Sequence, residues 1–237
     1  MSEGSSLCQK IMDRGTGFCK TLLMLKRGTG VLSSLVRSNT SKTDYWRHQS
    51  LGGDHGAHRY FNVAQSDVAN LWRPVAPWTA GLESALEVGC NSGRNVEWLA
   101  TQGIRNLVGV DVSADAIALA KTIEMPVGTD VKWLCSDAIP YLKSAPTFDL
   151  VLSKGFLINV SGNDVLKLIS NRARKIVILK EQEQPWWVSR RRSLESEMRN
   201  SGFSLVYKQL CHGSRRIDSP IQDMTCTPSF LFIFART

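Results

Sequence analysis

From about residue 84 onward, short apolar runs alternate with segments of helical character, and this rhythm restricts the fold more than any other feature of the chain. The runs 86–90, 106–112, 131–135, 148–153 and 175–180 read as strands. Segments 95–101 and 114–122 read as the helices joining the first three. A further helix over 193–200 ends near Gly202, and runs 203–207 and 229–235 add two closing strands. Seven strands interleaved with helices imply an α/β architecture: a mostly parallel, doubly wound sheet with helices on both faces.

Composition agrees with a folded domain and narrows its setting. The 237 residues suffice for one domain plus an appendage, and 43% apolar content supplies a core. Twenty-nine basic against 21 acidic residues give a net charge of +8, which favours anionic partners. The longest obvious apolar run, 230–234, suits a strand and is far short of the roughly 18 residues of a membrane span. Six scattered cysteines form no CxxC pair, so a reducing, cytoplasmic setting is expected and no metal knuckle. Residues 1–43 form a basic extension with serines and glycines, and only Glu3 and Asp13 oppose its seven cationic side chains. That bias suits an organelle-targeting presequence or a basic tail, and the two acids speak against the first.

The most informative stretch is Leu86-Glu87-Val88-Gly89-Cys90-Asn91-Ser92-Gly93-Arg94-Asn95. A strand enters a tight turn, and the turn opens a helix whose first N–H groups lack intrahelical partners. Gly89 and Gly93 let main chain approach a ligand, and Asn91 tolerates left-handed geometry where a third glycine often stands. Asp111, followed by Val112, ends the second strand, where a carboxylate can accept from both hydroxyls of a ribose. Its bland alternative is a helix cap, with Ser113 as rival. Asp137 and Ala138 follow the third strand, where an acid can accept from an adenine amino group. The fourth strand, Phe148 onward, ends in Ser153, Lys154 and Gly155, polar residues where a substrate would meet a cofactor.

In this order and spacing, these motifs resemble the class I S-adenosylmethionine-dependent methyltransferases over about residues 84–237. The resemblance implies a Rossmann-like sheet of seven strands, closed by an antiparallel strand over 230–234. It implies S-adenosyl-L-methionine as cofactor. Glu87 would orient the methionine amino group, and Gly89, Cys90, Asn91 and Gly93 would pass beneath the ligand. Asp111 and Val112 would hold the ribose, Asp137 and Ala138 would flank the adenine, and Ser153 would border the methyl group. A narrower resemblance links 87–95 (EVGCNSGRN) and 153–160 (SKGFLINV) to bacterial methyltransferases of sugar and surface-polysaccharide biosynthesis. Those often carry a histidine where Asn159 stands, so a histidine base is not expected there.

Methyl transfer demands little of the protein beyond alignment and exclusion of water, because the sulfonium already activates the methyl group. A base helps when the acceptor is a hydroxyl. Lys154 is the best placed candidate and Glu181, after the fifth strand, the second; Glu183, His55, His58 and His212 are weaker. Glu181 has a plainer reading as the partner of Lys180 or an arginine. The segment 44–83 precedes the first strand and carries Trp46 and Tyr60, which read either as a lid over the acceptor or as packing on the sheet's flank.

A second patch joins Trp186-Trp187 to Arg190-Arg191-Arg192, with Arg172, Arg174, Lys175, Arg215 and Arg216 as extensions. Aromatics beside arginines can clamp phosphates and stack on bases, so RNA is the alternative acceptor to a small molecule. Two other readings compete: a scaffold that kept the fold without turnover, and a nicotinamide-dependent oxidoreductase. Asn91 and the Asp137-Ala138 pair count against the oxidoreductase.

Overall fold

A computed structural model describes residues 42–47, 56–160, 164–182, 194–211 and 229–237. The basic extension up to residue 41, three of the four weaker base candidates (Glu183, His55 and His212), the Trp186-Trp187/Arg190–Arg192 patch, and Arg215 and Arg216 lie outside the described residues.

The seven expected strands form one sheet in the order β3-β2-β1-β4-β5-β7-β6. They are β1 (Ser84–Val88), β2 (Asn106–Asp111), β3 (Asp130–Cys135), β4 (Phe148–Lys154), β5 (Ala173–Gln182), β6 (Phe203–Cys211) and β7 (Ser229–Arg236). The first five pair in parallel, and β7 runs antiparallel between β5 and β6. Helices α1 (Lys42–Arg47), α2 (Ala57–Phe61) and α3 (Gln65–Trp72) precede the sheet. Helices α4 (Arg94–Thr101), α5 (Ala114–Ala120), α6 (Ala138–Ser144), α7 (Val165–Arg172) and α8 (Leu194–Asn200) alternate with its strands.

The central strands read as continuous apolar runs because both faces are covered. Ala85, Leu150, Leu152, Ile176 and Ile178 turn to one face and meet Trp72, Val96, Leu99 and Ile117 from α3, α4 and α5. Leu86, Val88, Val151, Val177 and Leu179 turn to the other and meet Leu142, Leu166, Ile169 and Met198 from α6, α7 and α8. Ser113 caps α5 by accepting from Ala116 N, and Asp137 caps α6 by accepting from Ile139 N.

The chain after β1 winds toward β2 and β3, whereas the chain after β4 winds the other way toward β5. A crevice opens where such windings diverge, at the carboxyl ends of β1 and β4. At the opposite rim, Arg174 donates to Asp149 Oδ1 (3.1 Å), Ser84 Oγ (3.1 Å) and Thr147 O (2.8 Å). Lys175 Nζ lies 3.4 Å from the same Asp149 oxygen, and Arg172 donates to Ala145 O. Burial would raise the Asp149 carboxyl, but the Glu83 N–H, Arg174 and Lys175 outweigh it and hold it low. Arg172, Arg174 and Lys175 are expected as extensions of the Trp-Arg patch, whose centre lies outside the described residues. They tie down the starts of β1, β4 and β5, away from the crevice.

Candidate functional site

The turn after β1 has the backbone that its residues dictate. Gly89 and Gly93 have φ of 72° and 81°, and Asn91 is the one non-glycine residue with positive φ among those described, at 47°. Asn91 Oδ1 accepts from Ser92 N (2.7 Å), the local bond that makes asparagine tolerable there. Gly89 N and Cys90 N both donate to Val110 O, locking the turn to the end of β2.

Asp111 braces this turn. Its Oδ2 accepts from Asn91 N (2.8 Å) and its Oδ1 from Ser113 N (2.9 Å). Ser113 takes the cap of α5, so Asp111 is not the cap. Each carboxylate oxygen keeps acceptor capacity beyond its one backbone bond. Burial raises the Asp111 carboxyl, and those N–H groups oppose the rise. Val112, next to it, is half-buried.

Glu87 is fully buried at the tip of β1. Its Oε1 accepts from Asn95 Nδ2 (2.6 Å), whereas Oε2 is buried with no hydrogen-bond partner. Burial is the main force that pushes its carboxyl up to about 8; the Asn95 bond, the nearby Lys154 charge and the Val96 N–H oppose it, and Asp111 adds to it. Lys154 is lowered, first by burial and then by Lys180, with Glu87 acting against both. An unsatisfied buried carboxylate oxygen is costly unless something brings it a donor. The α-amino group of S-adenosylmethionine is such a donor, so the residues present fit that cofactor.

Not every residue of the turn faces a ligand. The Cys90 thiol is buried in the core on the α4 side, where burial pushes it well up, so only its backbone borders the turn. A Cβ on Gly93 would lie 2.5 Å from Trp133 Cη2, and one on Gly109 2.6 Å from Trp133 Cζ3. Both glycines thus admit the Trp133 ring, and Gly93 serves helix–sheet packing where close approach to a ligand was expected. Gly89 is different: its missing side chain would meet Phe156 at 3.1 Å, on the loop that follows β4.

That loop is held from below by Glu181. Its Oε1 accepts from Ser153 Oγ (2.9 Å), Phe156 N (3.0 Å) and Leu157 N (3.3 Å), and Oε2 is buried without a partner. Burial raises the Glu181 carboxyl to about 7 against these bonds. The pairing expected with Lys180 or an arginine is replaced by these three donors. Asn159 Nδ2 donates to Gly155 O (2.7 Å), so its amide also serves the loop. Asp137 spends one oxygen on its cap, and Ala138 is buried in the first turn of α6.

Ahead of β1, α3 packs against α4 and buries Val68 and Trp72. Helix α2 packs against α5, with Tyr60 half-buried and His58 exposed. Arg94, the first residue of α4, donates to Val63 O (2.9 Å) and lies over the Phe61 ring at 5.9 Å. Trp46 meets Tyr45 edge-on in α1, and nothing described brings it to the crevice. Sequence reasoning missed Asn95 and Trp72: Trp72 Nε1 donates to Asn95 Oδ1 (2.9 Å), extending the bond to Glu87. Asn95 stood in plain view two residues beyond Gly93, but its partner was eight residues upstream.

Residues 85–177 match the family model of a methyltransferase domain. Over those residues the chain is similar to methyltransferase domains. No curated protein matches this chain at the level of sequence. Its fold is shared with magnesium protoporphyrin IX methyltransferase from Synechocystis PCC 6803, solved with S-adenosylhomocysteine bound. Identity there is 16%, the match covers 86% of this chain and 99% of that one, and the TM-score is 0.56. An S-adenosylmethionine-dependent methyltransferase from Leishmania major is 16% identical, with 81% of each chain covered and a TM-score of 0.56. A putative RNA methyltransferase from Pyrococcus horikoshii is 12% identical, covering 73% of this chain and 85% of that one, with a TM-score of 0.53. The fold of this chain is therefore the one that these S-adenosylmethionine-dependent methyltransferases share, as the glycine turn and its acids imply. Among the described residues no helix is long and apolar enough to cross a membrane.

Proposed function

We propose that this protein transfers the methyl group of S-adenosylmethionine to a small-molecule acceptor. The observation that carries the acceptor class is the distribution of charge. Glu87, Asp111, Asp137 and Glu181 all lie at the carboxyl ends of the strands, whereas Arg172, Arg174 and Lys175 are spent at the opposite rim. With Arg172, Arg174 and Lys175 held at that opposite rim, those cations are not offered to a phosphate backbone at the crevice, which favours a metabolite acceptor. The RNA reading rests on the Trp186-Trp187 and Arg190–Arg192 patch, outside the described residues.

When bound, S-adenosylmethionine would supply a methyl group already activated by its sulfonium to the acceptor's lone pair, with S-adenosylhomocysteine as the leaving product. The chain's part is positional. Glu87 receives the amino group, Asp111 the ribose hydroxyls, and Asp137 with Ala138 the adenine. The loop of Phe156 and Leu157, drawn down by Glu181, covers the reacting side and excludes water. Lys154, at the exit of β4 with a lowered affinity for its proton, is the best placed described group to take a proton from a hydroxyl acceptor.

The test is label transfer from tritiated S-adenosylmethionine with the full chain and a cell extract, separated into low-mass, RNA and protein fractions. Label in the low-mass fraction is the expected result. Label in RNA would replace the proposed acceptor with the alternative, and label nowhere would leave a scaffold.

A further inference from the structure

Two side chains from different elements, Trp72 buried and Asn95 half-buried, lead to Glu87. Trp72, at the end of α3, is fully buried, and its indole Nε1 donates to Asn95 Oδ1 at 2.9 Å. Asn95, in the first turn of α4, donates through Nδ2 to Glu87 Oε1 at 2.6 Å. An indole N–H can only donate, so the Asn95 oxygen must face it and the amide nitrogen must face Glu87. The amide is thereby oriented by chemistry at both ends. Glu87 is left with one oxygen held and the other, Oε2, buried and unmatched.

We propose that Trp72 and Asn95 are positioning residues for the cofactor's α-amino group. By tying Oε1, they fix the carboxylate so that Oε2 meets the ammonium. The seating of α3 against α4 thus becomes a determinant of cofactor affinity. The proposal rests on the reading of this chain as an S-adenosylmethionine-dependent enzyme. It goes further in giving a helix ahead of the matched domain a part in ligand recognition. The competing account is that the chain merely satisfies three polar groups and contributes stability alone.

Two ligands separate these accounts. S-adenosylhomocysteine carries the amino group, and 5′-deoxy-5′-methylthioadenosine has the same nucleoside and sulfur without it. Binding of both is measured by calorimetry on the full chain and on Trp72→Phe, which removes the donor, and Asn95→Leu, which removes the amide at similar volume. The expected result is that each variant loses about tenfold in affinity for S-adenosylhomocysteine, because a charge-assisted bond is misaligned. Affinity for methylthioadenosine stays within about twofold. Equal losses for both ligands, or no loss for either, would overturn the proposal while leaving the cofactor reading intact. A wild-type chain that binds neither ligand would overturn the cofactor reading itself. Thermal melting identifies a variant that fails to fold; should Trp72→Phe do so, Asn95→Leu carries the comparison.

Discussion

Binding of S-adenosylhomocysteine at pH 7 is expected to expel most of a proton from Glu87. Burial raises that carboxyl from 4.5 to about 8 before any ligand arrives. At pH 7 its protonated fraction is then 10/(10 + 1), or about 0.9, given a pKa of about 8. An ammonium group set against Oε2 favours the ionised form, so binding and proton loss are linked. The assay is titration calorimetry in buffers of small and large ionisation enthalpy, such as phosphate and Tris. The slope of heat against that enthalpy gives the protons released, with about 0.9 expected. Glu87→Gln should abolish the release. Lys154→Met should keep it, because removing a cation that lowers the Glu87 carboxyl leaves the proton more firmly held beforehand. A wild-type release below about 0.3 of a proton, or a release surviving in Glu87→Gln, would refute the reasoning.

Gly93→Ala is expected to cost at least about 2 kcal/mol in chemical denaturation, combining left-handed strain with overpacking against Trp133. Gly103→Ala is the control, since φ there is 92° but nothing lies within 4 Å of the added carbon; equal losses would show that Trp133 is irrelevant. Glu181 should make the wild type lose stability as pH rises from about 4.5 to about 7, because the fold holds its proton more tightly than the unfolded chain does. Glu181→Gln keeps an acceptor for Ser153, Phe156 and Leu157, and its denaturation midpoint should be flatter across that window than the wild type's; an unchanged pH slope would count against a raised carboxyl.

What the sequence disclosed was mostly local. A strand running into Gly89, Asn91 and Gly93 announces a turn with left-handed backbone, because few other residues accept such angles. Asp111 could be assigned to a strand tip by counting, and it stands there. What stayed hidden depends on partners distant along the chain. The purpose of Gly93 is set by Trp133, forty residues on and two strands across. Arg174 and Lys175 read as part of a cationic patch, and their nearness to Asp149 shows only once β4 and β5 pair. Glu181 looked like half of an ion pair, and its donors are Ser153 on the neighbouring strand and two N–H groups of a loop no periodicity describes. Trp72 belonged to a segment readable only as flank or lid, and its bond to Asn95 spans 23 residues.

The sheet order carries a consequence for biosynthesis. Strand β7 lies between β5 and β6, although it is the last of the seven to leave the ribosome. Residues 173–211 are translated before the strip of backbone that must join them exists, so β5 and β6 wait with unpaired edges until the 17 residues 212–228 have been added. Chaperone engagement during translation should concentrate on that interval, and completion of the fold should be timed by the emergence of Ser229–Arg236.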